Sequence, residues 1–551
     1  MSSCRFFRFV RILAVVGPVL AQSTLTAQRR EPDDPTPLTE TERIQHVLSR
    51  FGFGATKERI DEVRAKGIEA WFEEQLDGAA KETYELGERL RELTTLKLSA
   101  AELFASYDPK NPGPTAPAKE RREYVRLRET PRRELLASIV LRGAQSNNVV
   151  RETLADFWRN HFNVDIGKSN LRLWAVPYER DVLRGHMCGT FGDLLEATAK
   201  HPAMLIYLDN ALSRRPPTKG ELSTVRENAR ARSKSKERAA EAVEIAKQRG
   251  LNENYARELL ELHTLGVDNG YTQKDVIEVA KALTGWTVNQ NPKRGDVGFC
   301  YQADMHARGD KYFLGRMIRP DKKNPLLEGE IILHRLERHA GTADFLATKL
   351  CRHFVADEPP EKMVEHVAAT FKRTGGNLRA VYKAILDDPE FFDPKYYQTK
   401  FKRPFEFLLS AIRVTHAQID DPNAVLEAMK LLQEPLYGQE DPTGYYDTAE
   451  AWNDPGVMAV RWQFAFRLAK GQIRGLRIPD EFYKGLHPRI PRVWKDQLAR
   501  RILPAGLGSR SSETLDLMMR RYLADHPDPK REELAPRIVG LLLGSPEFQR
   551  Q

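Results

Sequence analysis

Apolar positions along this chain recur at helical spacing almost throughout, and strand-like alternation is scarce. Between residues 41 and 76 the pattern predicts helix, turn, helix, helix. Thr56 is placed to cap a helix from Lys57 and Gly67 to end it, and Ile68, Trp71, Phe72 and Leu76 then share a face. Thr130-Pro131 predicts a helix start with proline at the first helical position. Asn252 is placed to cap a helix that runs to about Leu265 and closes at Gly266. Thr272 and Asp275 make a capping-box pattern ahead of Val276, Val279, Ala280 and Leu283. Further helices are predicted over 345–354, 361–373 and 378–386. The expected class is all-α, a large multi-helix globular fold with long loops and little or no sheet.

The same pattern divides the chain. Residues 1–21 pair Arg5, Arg8 and Arg11 with a short apolar run ending at Ala21, which predicts a secretory signal peptide. A Pro- and acid-rich spacer fills 22–40, the main helical domain spans 41–480, and a C-terminal helical segment occupies 481–551. No later stretch approaches the roughly 20 apolar residues a spanning helix needs, so a mature chain without a transmembrane segment is expected. Its expected location is exported, periplasmic or extracellular. Cys4 falls in the signal peptide, which leaves Cys188, Cys300 and Cys351, an odd number, with at least one unpaired within the chain.

Charge changes the picture at one place. The formal net charge is +9, of which the signal peptide supplies +3. Residues 214–249 hold eleven basic side chains against five glutamates and supply +6, which leaves the rest near neutral. A nucleic-acid partner is therefore not expected, because its footprint would lie on the folded surface. The 214–249 stretch is polar all round and is expected to be a solvated, flexible insertion. The alternative is a basic arm for an acidic polymer or membrane surface.

Candidate chemistry sits in three dense segments. FWRNHFNVD (157–165) carries Trp158, His161 and Phe162 on one face and Asn160, Asn163 and Asp165 as polar partners. His161 is expected as a core histidine, the alternative being a ligand or proton-transfer group. NENYARELLELHTLG (252–266) puts Tyr255, Ala256, Leu259 and His263 on one face and Asn254, Arg257, Glu258 and Glu261 on the other. Arg257 and Glu261 are spaced to pair, and Glu258 and Glu261 to repel. Burial of that second face would raise one carboxyl's pKa, as acid/base catalysis needs. The third segment joins Trp286 to a Gly-containing loop with His306, Asp310 and Lys311. H-E-x-x-H, E-x-x-H, G-x-S-x-G and Walker A patterns are all missing.

Together these stretches are similar to a known family. HVLSRFGFGAT (46–56), FWRNHFNV (157–164), NENYARELLELHTLGVDNGYTQKDVIEVAKALTGWTV (252–288) and HARGDKYFLG (306–315) carry the likeness. So do HAGTADFLATKLCRHFVADEPP (339–360) and DPTGYYDTAEAW (441–452). The chain resembles the bacterial domain of unknown function 1800 family across roughly 41–480. That resemblance implies a helical, exported protein and, as partner, another exported envelope protein; it implies no particular reaction. Family members usually carry Asp after the histidine where Ala307 stands here, and the 214–249 insertion lengthens the usual connection. Two functions follow as expectations. One is a binding or assembly component of the envelope or periplasm. The other is a hydrolase-like enzyme with Glu258, Glu261 and His161 as catalytic groups, Trp158, Asn160, Asn254, Arg257, Trp286, Asp310 and Lys311 as binding groups, and a divalent metal on His161, Glu258 and His306.

Overall fold

Local signals start the fold where the sequence places them. Thr39 and Glu42 close a capping box on the helix Glu40–Arg50, and Thr56 caps Lys57–Lys66. Gly67, with φ 82°, ends that helix and leads into Ile68–Asp77. Thr272 and Asp275 likewise close a capping box on Gln273–Leu283. These features belong to a computed structural model that describes residues 34–551 apart from 234, 249, 268, 292 and 294. The signal peptide read at 1–21 lies outside the described residues. No described helix is long and apolar enough to cross a membrane.

The class is all-α. The described strands make only three two-stranded antiparallel ladders: Trp286–Asn289 with Gly298–Tyr301, Lys311–Phe313 with Arg316–Ile318, and Gln418–Ile419 with Leu476–Arg477. In the second, Leu314 and Gly315 both take positive φ between paired Phe313 and Arg316, as a two-residue hairpin turn requires. The strain on Leu314 is offset where its N–H donates to the Asp275 carboxylate at 2.9 Å.

One expectation changes. Pro131 does not begin a helix but lies inside the helix Ala118–Gln145. A proline there removes one intrahelical bond. In the turn before it, Arg172 donates to the Arg128 carbonyl at 3.2 Å and so satisfies one oxygen from outside the helix. In the 214–249 insertion Lys219–Ser233 and Lys236–Gln248 make a helical hairpin that packs mainly on itself through Ala239 and Val243. Among the described residues all three remaining cysteines are unpaired.

The helix Val149–His161 runs through the core, with Glu152, Asp156 and Arg159 buried beside its apolar residues. Such charges persist only when paired. Arg159 bridges Asp156 (3.1 Å) and Glu179 (2.8 Å), and Arg184 bridges Glu152 (2.7 Å) and Glu179 (2.9 Å). Arg403, 2% exposed, reaches Asp156, Glu434 (2.8 Å) and Asp447 (3.3 Å). His353 closes on Asp447 at 2.9 Å. One ionic network thus ties the central helix to segments near 180, 353, 403, 434 and 447.

Candidate functional site

The network ends at the loop 435–447, which is stapled onto the FWRNHFNVD segment. Asn163 donates through Nδ2 to the carbonyls of Gln439 (3.0 Å) and Asp441 (2.9 Å), and Tyr207 donates to that of Glu440 (2.8 Å). Asn160 pairs with Tyr445 in both directions, donating at 2.8 Å and accepting at 2.7 Å. A carboxamide is the side chain that offers both roles at once. Gly444 makes the approach possible: its φ is 78°, and a Cβ there would lie 2.5 Å from the Asn160 carbonyl oxygen. Gly444→Ala is expected to lower stability by about 1–3 kcal/mol and to free this loop, read by urea unfolding and proteolysis. Unchanged stability would mean that the staple carries no load.

Across from the loop stands the helix Asn254–Glu261, which buries Tyr255, Ala256, Leu259 and Leu260 and leaves Arg257, Glu258 and Glu261 half-buried. It ends earlier than the sequence predicts; His263 follows it and is buried, as its apolar face predicts. Arg257 pairs with Glu261 at 3.3 Å and with Glu253 at 3.7 Å. The Glu258 carboxyl has no hydrogen bond or ion pair among the described residues. Burial first, then the negative charges of Glu261 and Asp441, push its pKa up to about 7 against a weaker opposing pull from Arg257. Tyr207 stands in the same field: burial, then Asp165, Asp441 and Glu258, raise its phenol pKa. Glu261 and Asp441 thus act on Glu258, and Glu258, Asp441 and Asp165 act on Tyr207, a cluster drawn from four separate segments.

His161 lies behind this surface. Its ring is packed among Phe157, Trp158, Phe162 and Phe345, with Nε2 3.2 Å from the His263 carbonyl and Nδ1 without a protein partner. Burial, aided by Lys349 and His263, holds its pKa well below the ordinary value, so the ring is neutral. His263 is lowered to about 3 for the same first reason, and burial lowers Lys349 to about 8.

The remaining candidates divide. Asn254 sits at the helix start on the Asn252 side chain, and Asp310 is exposed. Trp158 is fully buried, donating to the Tyr382 hydroxyl at 2.6 Å, and Trp286 is fully buried against Gly329. Lys311, read as displayed on a loop, instead opens a strand and is buried on Glu328 at 2.6 Å. His306 makes its contacts there too, 3.2 Å from Glu328 and 2.7 Å from the Thr284 carbonyl. Ala307, where relatives are expected to carry Asp, is buried and its N–H donates to Thr284 Oγ1. His306 therefore shares no partner with His161 or Glu258, and the proposed metal trio is not brought together. Among the described residues no group of three or more His, Cys, Asp or Glu is placed to hold a metal ion.

The family model described as a protein of unknown function (DUF1800) matches residues 46–550. The chain belongs to that family. The match takes in every residue of the Glu258 site and runs past the last motif at 452 to the C-terminal helices. No curated protein and no solved structure matches the chain. Of the DUF1800 site, sequence reasoning named Glu258, Glu261 and Asn160 but gave no role to Asp441, Tyr207 or Lys349. Asp441 and Lys349 lie inside quoted motifs; Tyr207 lies outside all of them.

Proposed function

We propose that this DUF1800 protein is exported to the bacterial envelope and performs hydrolase-like acid/base chemistry, with Glu258 as the proton-transfer group. The observation that supports this is the Glu258 carboxyl itself: without a hydrogen-bond or ion-pair partner among the described residues, and holding its proton near neutral pH through burial first and then the charges of Glu261 and Asp441. Such a group gives a proton to a leaving oxygen or nitrogen in one step and takes one from water in the next. Asp441, on a loop that Asn160, Asn163 and Tyr207 hold in register, is the second carboxylate. Tyr207 and Arg257 offer donors for orienting a polar substrate. The role of binding or assembly component is the second reading. Tyr446 favours it, because it is 63% exposed on a loop whose neighbours are pinned.

Carbodiimide labelling with peptide mapping tests the first reading without a known substrate, because the reagent attacks protonated carboxyls. Glu258 should label with a midpoint near pH 7, while ordinary surface carboxylates label only in acid. Labelling confined below pH 5 would remove Glu258 from the role. A screen of chromogenic esters, glycosides and peptides should then show activity that falls about 100-fold or more in Glu258→Gln with an unchanged circular dichroism spectrum. Turnover that survives the substitution would refute the assignment.

A further inference from the structure

The hairpin Lys219–Ser233/Lys236–Gln248 plays no part in the Glu258 site, and its surface is unlike the rest of the molecule. Lys219, Arg226, Arg230, Arg232, Lys236 and Arg238 are exposed, and among the described residues none of them forms an ion pair or hydrogen bond. What sets the stretch apart is its charge density: 214–249 carries +6 while the rest of the chain beyond residue 21 is near neutral. At 100° per residue Lys219, Arg226 and Arg230 fall within about 40° of one another, a single basic stripe along the first helix. Arg226, Arg230 and Lys236 also line a groove of about 240 Å³ between the two helices, floored by Ala239, Ala240 and Val243 and reached by Glu244. No large apolar side chain is exposed between 219 and 244.

We propose that this hairpin is a docking arm for an anionic phospholipid surface, with Arg226, Arg230 and Lys236 seating lipid phosphates. Guanidinium groups match phosphate oxygens two at a time. Six unpaired cations spread over a two-helix projection match a surface that offers many phosphates side by side better than they match a single anion. Without exposed apolar groups the arm does not insert, so attachment is electrostatic, reversible and screened by salt. The near-neutral remainder of the chain adds no competing field.

The test is flotation of the full mature chain with phosphatidylcholine vesicles, with and without 30% phosphatidylglycerol, at low and high salt. Binding is expected only to the anionic vesicles and is expected to vanish at high salt. The triple variant Arg226→Gln/Arg230→Gln/Lys236→Gln should bind at least about tenfold more weakly, with the melting temperature and Glu258 labelling unchanged. Equal binding to neutral vesicles, no binding at all, or an unaffected triple variant would overturn the proposal. Competition by millimolar inorganic phosphate alone would reassign the groove to free phosphate. Retention by a soluble anionic polysaccharide without vesicle binding would reassign the arm to a polymer.

Discussion

Arg403→Met is expected to destabilise the protein by about 3–5 kcal/mol, the cost of leaving buried charge without its partner. Arg403 is nearly inaccessible and contacts three carboxylates, those of Asp156, Glu434 and Asp447. Burial already pushes Glu434 up to about 7, with Arg403 pulling the other way, so its loss would drive Glu434 to hold a proton. Asp447 would be left with His353 and Lys400. Burial alone would raise its pKa, but His353, Arg403 and Lys400 outweigh that and hold it well below the carboxylate range. A depressed carboxylate contributes stability above its unfolded pKa and loses it as pH falls toward the folded one. The wild-type protein should accordingly weaken below about pH 4, and the variant less steeply. Urea unfolding of both forms across pH decides this. A loss under about 1 kcal/mol at pH 7 would mean that the network does not hold the core.

Glu258→Gln carries the second large effect, of opposite sign. The folded pKa near 7 stands above the ordinary 4.5. Stability from the protonated form is therefore complete below about pH 4.5 and is lost as pH rises to about 7. The shift corresponds to about 3.4 kcal/mol at most, and partial exposure to water brings the expected cost to about 2 kcal/mol. Glutamine has no proton to lose, so relative to wild type the variant should gain that amount between pH 5 and pH 8. A gain independent of pH would show that Glu258 ionises normally.

The helices were legible because their signals are local. Thr56, Gly67 and the Thr272–Asp275 box lie within a few residues of the ends they define. Pro131 is ambiguous because Thr130-Pro131 reads the same in sequence whether the proline opens a helix or sits inside one. The pairing of Arg257 with Glu261 and the repulsion between Glu258 and Glu261 follow from helical spacing and were readable. Whether that face is buried was not, because burial depends on the loop 435–447 arriving across 180 residues. The buried arginines were hidden for a related reason: Arg159 and Arg403 look like surface residues until their acids are placed. Lys311 reads as a displayed group because a glycine-containing loop looks the same in sequence whether it faces solvent or packs.

Beside Arg403 in the chain, Phe401 forms an antiparallel bridge with Arg550. Lys400 and Gln551 exchange backbone hydrogen bonds at 3.2 and 2.8 Å, and Lys402 donates to Gln549 at 2.9 Å. Arg461 joins them through Gln549 and the Lys402 carbonyl. A helical protein ordinarily assembles quickly from neighbours along the chain, but these contacts join points about 150 residues apart. The segment 549–551 is thus a latch on residues 400–402, and it closes only after the intervening stretch of about 150 residues has been laid down between them.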